Sequence, residues 1–167
     1  IRIENSERQS NLAYKQSNEN FPANTNYAPP KVSRYKNVDI NSADTASLIS
    51  LPGIGSKLAT RIVSFRDKLG GFYSIDQIKE TYGLPDSSFQ KVKQYLNISN
   101  ASVKKININT AAKDEMKMHP YIKWNLANAI VEYRNQHGEY KTVEDVKKIM
   151  LVTEDIYSKV SPYLSVQ

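Results

Sequence analysis

The chain has no cysteine in its 167 residues, which excludes disulfides, thiolate-held metals and a cysteine nucleophile together. Its apolar runs are a few residues long, far short of the roughly 20 that a membrane-spanning helix needs, so no membrane contact is expected within it. Histidine is limited to two residues, His119 and His137, whose spacing matches no metal-binding pattern. Carboxylates do not recur as an acid-base pair, and no glycine-rich loop fits a nucleotide. The expectation is a protein without cofactor or metal, and not an enzyme.

What is present is a moderate positive charge, +6 from 23 basic and 17 acidic residues. It biases the chain toward polyanions. The charge is spread evenly, with about +2 in each of residues 1–35, 36–97 and 98–167, so no segment is a basic block. Residues 1–35 are rich in Asn, Ser, Gln and Glu, close in Tyr27-Ala28-Pro29-Pro30, and follow neither a helical nor a strand period. Such a stretch buries too little apolar area to offset chain entropy and reads as a disordered linker.

From Val38 onward the chain repeats itself at an offset of 68 residues without a gap. Asp39-Ile40-Asn41-Ser42-Ala43 lies over Asn107-Ile108-Asn109-Thr110-Ala111, and Ile62-Val63-Ser64-Phe65-Arg66 over Ile130-Val131-Glu132-Tyr133-Arg134. Two tandem units are expected, 36–99 and 104–166, joined by a short polar link that favours a fixed pair. Each spells four short helices. Asn41-Ser42 and Asn109-Thr110 are expected to cap the first, and apolar residues at spacings of three and four mark the second through Leu58, Ile62, Phe65 and Leu69. Ser74-x-x-Gln77 and Thr142-x-x-Asp145 resemble capping boxes for the third. Pro162 is expected to bend or shorten the fourth helix of the second copy.

The segment Leu51-Pro52-Gly53-Ile54-Gly55-Ser56-Lys57 carries the chemistry. A glycine pair around one apolar residue, followed by a helix, lets free backbone N–H groups face an anion without help from any side chain. Both glycines are expected at positive φ. A tight interhelical turn with no ligand is the plainer account of the same residues.

The first copy, from Val38-Asp39-Ile40-Asn41-Ser42-Ala43 through Leu51-Pro52-Gly53-Ile54-Gly55 to Gly70-Gly71-Phe72, resembles the helix-hairpin-helix domain of ComEA-type DNA-uptake proteins. The resemblance implies an all-α fold of two SAM-like four-helix units. It implies weak, sequence-blind binding of double-stranded DNA, with Gly53, Ile54, Gly55, Ser56, Lys57 and Arg61 at a phosphate and further contacts from Lys79, Lys91 or Lys93. By analogy it implies a competence role and an exported or membrane-anchored protein facing the periplasm.

Three of the four hairpins depart from that pattern. Gly83-Leu84-Pro85-Asp86 keeps one glycine and adds an acid, Tyr121 and Lys123 replace both glycines in the second copy, and Leu151-Val152-Thr153-Glu154-Asp155 is glycine-free and acidic. Tyr121, Lys123 and Trp124 can pack between units, anchor a protein partner through the second unit, or stack on nucleic acid. The alternative function is a protein-interaction scaffold that keeps the fold without binding DNA.

Overall fold

The computed structural model describes residues 35–167; apart from Tyr35, the linker expected over residues 1–35 lies outside the described residues. Every element of the first copy returns in the second at the same offset of 68. The first copy runs β1 (Val38–Asp39), α1 (Thr45–Ile49), α2 (Ser56–Leu69), a 3₁₀ helix (Ile75–Glu80), α3 (Asp86–Val92), a 3₁₀ turn (Lys93–Tyr95) and β2 (Leu96–Asn97). The second runs β3 (Ile106–Asn107), α4 (Lys113–Met116), α5 (Trp124–His137), a 3₁₀ helix (Val143–Lys148), α6 (Glu154–Val160), a 3₁₀ turn (Ser161–Tyr163) and β4 (Leu164–Ser165). The all-α architecture stands, with two-residue parallel pairs added. Val38 pairs with Leu96, and Ile106 with Leu164, so each copy is closed end to end by its own strands.

Burial explains the helices. Ala59, Ile62 and Leu69 on α2 meet Leu48, Ile54, Phe72, Ile78 and Phe89 in one core, while Leu58 and Phe65 are half-buried at its margin. Leu126, Ala127 and Ile130 on α5 do the same against Met116, Ile122, Val146 and Val160. Each fully buried Leu, Ile or Phe contributes about 1.5–3 kcal/mol.

Three local expectations are corrected. Asn41 does not cap α1: its Oδ1 accepts from Phe72 N–H at 2.8 Å and its Nδ2 donates to the Phe72 and Asn100 carbonyls at 2.9 and 3.0 Å. Asn109 makes the same clamp on Tyr140 and Val166. The N-cap of α1 is Asp44, whose carboxylate accepts from Ser47 N–H at 2.8 Å, and α4 has no side-chain cap. The third helices are 3₁₀, opened by Gln77 accepting from Ser74 N–H and by Asp145 accepting from Thr142 N–H. Pro162 shortens nothing particular to its copy, since α3 ends in the same 3₁₀ turn with Gln94 at the equivalent place.

The copies share side chains. Tyr163, from the second copy, is buried in the first copy's core. Its hydroxyl donates to the Gly71 carbonyl at 2.9 Å and accepts from Gln77 Nε2 at 2.8 Å. Gln77 also donates to the Tyr121 hydroxyl at 3.1 Å, and Lys159 pairs with Glu80 at 3.1 Å. The link folds back on the end of α2, with Lys104 N–H donating to the Gly70 carbonyl at 2.8 Å. Among the described residues no helix is long and apolar enough to cross a membrane.

Candidate nucleic-acid interface

All four hairpins are closed by one hydrogen-bond pattern. Ile54, Leu84, Ile122 and Val152 each donate backbone N–H to the carbonyl three residues before, at 2.9–3.3 Å. The helix that follows opens with Ala59, Phe89, Ala127 or Tyr157 donating to the carbonyl of Gly55, Pro85, Lys123 or Thr153. One backbone design is used four times, and side chains make the differences.

In the first hairpin Gly53 has φ +84°, a left-handed geometry that costs an L-residue about 1–2 kcal/mol. Gly55 does not share it. At φ −89° and ψ 172° it occupies ordinary extended backbone, against the expectation of positive φ at both glycines. Its value lies in emptiness: a Cβ built there would find no atom within 4 Å. With no side chain to cap α2, the N–H groups of Ser56, Lys57 and Leu58 have no acceptor among the described residues. Ile54 is buried beneath the turn, while Gly53, Gly55, Ser56 and Lys57 are exposed. Lys57 forms no ion pair among the described residues, so its charge is available beside the open amides. The 14-residue α2 adds the positive end of its dipole at that point.

The second hairpin adjoins the first. Ser88 Oγ stands 3.5 Å from where a Cβ on Gly53 would be. Arg61 spans from α2 to this hairpin, donating from Nη1 to the Tyr82 carbonyl at 3.3 Å with its guanidinium 4.9 Å from the Tyr82 ring centre. Gly83, at φ +79°, leaves the room that the guanidinium fills. Lys79 and Lys93, expected as phosphate contacts, are engaged elsewhere: both reach Asp76, at 3.7 and 2.9 Å, and lie over the Phe89 ring.

In the second copy the predicted trio separates. Tyr121 turns inward, bonded to Gln77 and edge-on to Tyr163 and His119. Lys123 and Trp124 face solvent, Trp124 at 59% exposure, at the start of α5, which also lacks a side-chain cap. Replacing glycine by lysine therefore did not cap that helix. The fourth hairpin is different: Thr153 Oγ1 accepts from Ile156 N–H at 3.3 Å, and Lys147 holds Glu154 at 2.9 Å. Sequence reasoning missed its exposed Met150 and Leu151, which occupy the places of Tyr82 and Gly83.

The helix-hairpin-helix motif matches residues 33–97 and again 101–165. The chain belongs to the helix-hairpin-helix family. It is 26% identical over 163 residues to endonuclease/exonuclease/phosphatase family domain-containing protein 1 of Danio rerio, covering 87% of this chain and 30% of that protein. It is 31% identical over 61 residues to ComE operon protein 1 of Bacillus subtilis, covering 36% of this chain and 30% of that one, and 25% identical over 109 residues to protein tex of Bordetella pertussis, 65% and 13%. No solved structure matches. The chain thus spans under a third of the length of these relatives.

The paired motif, with these relatives, supports sequence-nonspecific nucleic-acid binding by this helix-hairpin-helix chain. One expectation is overturned. A protein that is not an enzyme was expected from the lack of catalytic residues, but relatives aligned along most of this chain carry an endonuclease/exonuclease/phosphatase family name. A missing acid-base pair in a stretch this short could not decide the chemistry of a longer protein.

Proposed function

We propose that this helix-hairpin-helix pair binds double-stranded DNA without sequence preference, and that the first copy supplies the phosphate contact. The observation that carries the reading is the open Gly55 turn: three unpaired amides, no neighbouring atom where a side chain would stand, and unpaired Lys57 beside them. A phosphate oxygen would accept from the amides of Ser56, Lys57 and Leu58, with Lys57 and Arg61 adding charge. Contacts of this kind hold the backbone and read no base.

Two settings share that step. DNA uptake, as in ComEA-type proteins, is favoured by the first copy's resemblance and by the Bacillus subtilis relative. Delivery of DNA to nuclease chemistry elsewhere in a longer chain is favoured by the name of the Danio rerio relative. The second copy supports a further reading as a protein-contact surface, because Trp124, Met150 and Leu151 put apolar side chains in solvent where the first copy has Ser56, Tyr82 and Gly83.

Binding of a duplex across a salt series tests the main reading. A slope of log affinity against log salt corresponding to about two to four phosphates is expected, at about 0.9 per phosphate. Gly55→Glu should abolish binding with the fold intact, and binding that survives it would place the site elsewhere. Trp124 is the sole tryptophan, so its emission should not change on DNA binding; quenching would bring the second copy into the nucleic-acid face.

A further inference from the structure

Tyr82 is 82% exposed, yet it is not loose. The Arg61 guanidinium lies against its ring, 4.9 Å from the centre, and is bonded to its carbonyl at 3.3 Å. One face of the ring is backed by a planar cation, and the opposite side is open. Gly83 is part of the device, because any side chain there would strike the guanidinium. Arg61 has no carboxylate partner among the described residues, so its charge is not spent on the protein.

The sister copy makes the arrangement informative. The equivalents of Arg61, Tyr82 and Gly83 are Ala129, Met150 and Leu151, and the equivalents of Gly53 and Gly55 are Tyr121 and Lys123. The copy with the open glycine turn has the arginine-tyrosine pair, and the other copy has neither. The two features also adjoin. Arg61 is six residues past Gly55 on α2, about 9 Å along the helix axis at about 1.5 Å per residue.

We infer that Arg61 and Tyr82 form a stacking platform for an unpaired base next to the phosphate held at Gly55, so that the first copy prefers duplex DNA bearing a single-stranded tail to uninterrupted duplex. This rests on the duplex-DNA reading above. Bases inside a duplex are stacked on each other and offer no face to a protein ring. An overhang or gap does, and a base on an aromatic ring gains without regard to its identity. The guanidinium behind the ring fixes its orientation before the base arrives and adds its charge toward the neighbouring phosphate.

Fluorescence anisotropy with the full 167-residue chain tests this on two labelled DNAs. One is a fully closed, blunt-ended duplex with no unpaired base, the other the same duplex carrying a short thymidine overhang. The tailed DNA should bind roughly tenfold more tightly, within the range that one stacked base supplies. Tyr82→Ala should erase the difference while leaving the affinity for closed duplex within about twofold, Tyr82→Phe should keep it, and Arg61→Lys should reduce it, because the planar backing is lost while the charge remains. Equal wild-type affinity for both DNAs would overturn the platform, and so would Tyr82→Ala weakening both equally. A wild-type chain that binds neither DNA would instead remove the duplex-DNA reading, and the platform with it.

Discussion

The Tyr163 hydroxyl and the Gln77 side-chain amide meet at 2.8 Å across the boundary between the copies, with Gln77 4% exposed and Tyr163 fully buried. The same hydroxyl donates to the Gly71 carbonyl. Tyr163→Phe keeps the ring and removes both bonds, leaving the half-buried Gly71 carbonyl short of a donor. A loss of about 1–3 kcal/mol is expected in chemical denaturation. Tyr163→Ala also empties a buried site at the boundary, and should split a single unfolding transition into two.

Gly53 and Gly55 look equivalent in the sequence and are not in space. Gly53→Ala should destabilise the chain by about 1–2 kcal/mol, because alanine is strained at φ +84°. Gly55→Ala should change stability by less than about 0.5 kcal/mol, as surface substitutions do. DNA binding should respond in the opposite order, being more sensitive at Gly55. Thermal melts and duplex titrations of the two variants, side by side, check both halves.

Asn41 ties the entry of the first copy to Phe72 and Asn100 through three hydrogen bonds. Asn41→Ala should cost about 1–3 kcal/mol, mainly from the Phe72 backbone groups left without a partner. Hydrogen exchange should show the Phe72 amide losing protection before those of α2.

Burial between the Tyr121 and Tyr163 rings holds His119 down to about 4, opposed by the Leu69 carbonyl. The unfolded chain takes up this proton near pH 6.5 and the folded one near 4, so the folded state binds fewer protons between those values. Stability is full above pH 6.5 and declines as pH falls through the window, by about 3 kcal/mol at its lower end. His119→Leu, which installs the residue found at Leu51, should flatten the curve between pH 6.5 and 5. Denaturant midpoints over that range, compared with wild type, measure it.

The repeat, the helix order and the open hairpin were legible because they depend on local pattern: apolar spacing, glycine and an exact offset. The strand pairs were not, since two residues cannot display a period and their partners lie 58 positions away. Asn41 was misjudged because an asparagine before a helix looks the same whether it caps the next turn or reaches Phe72. The alignment placed Tyr163 over Tyr95 and so concealed that it enters the other copy's core. Arg61 was legible as a candidate phosphate contact but Tyr82 was not, because 21 residues separate them and only folding brings the guanidinium to the ring.

The parallel pairing of β1 with β2 and of β3 with β4 has a mechanical consequence. Tension on the two ends of a copy pulls its strands past one another, so the load falls on their hydrogen bonds in shear rather than peeling them singly. Resistance to such loading is set by the rate of unfolding and not by equilibrium stability.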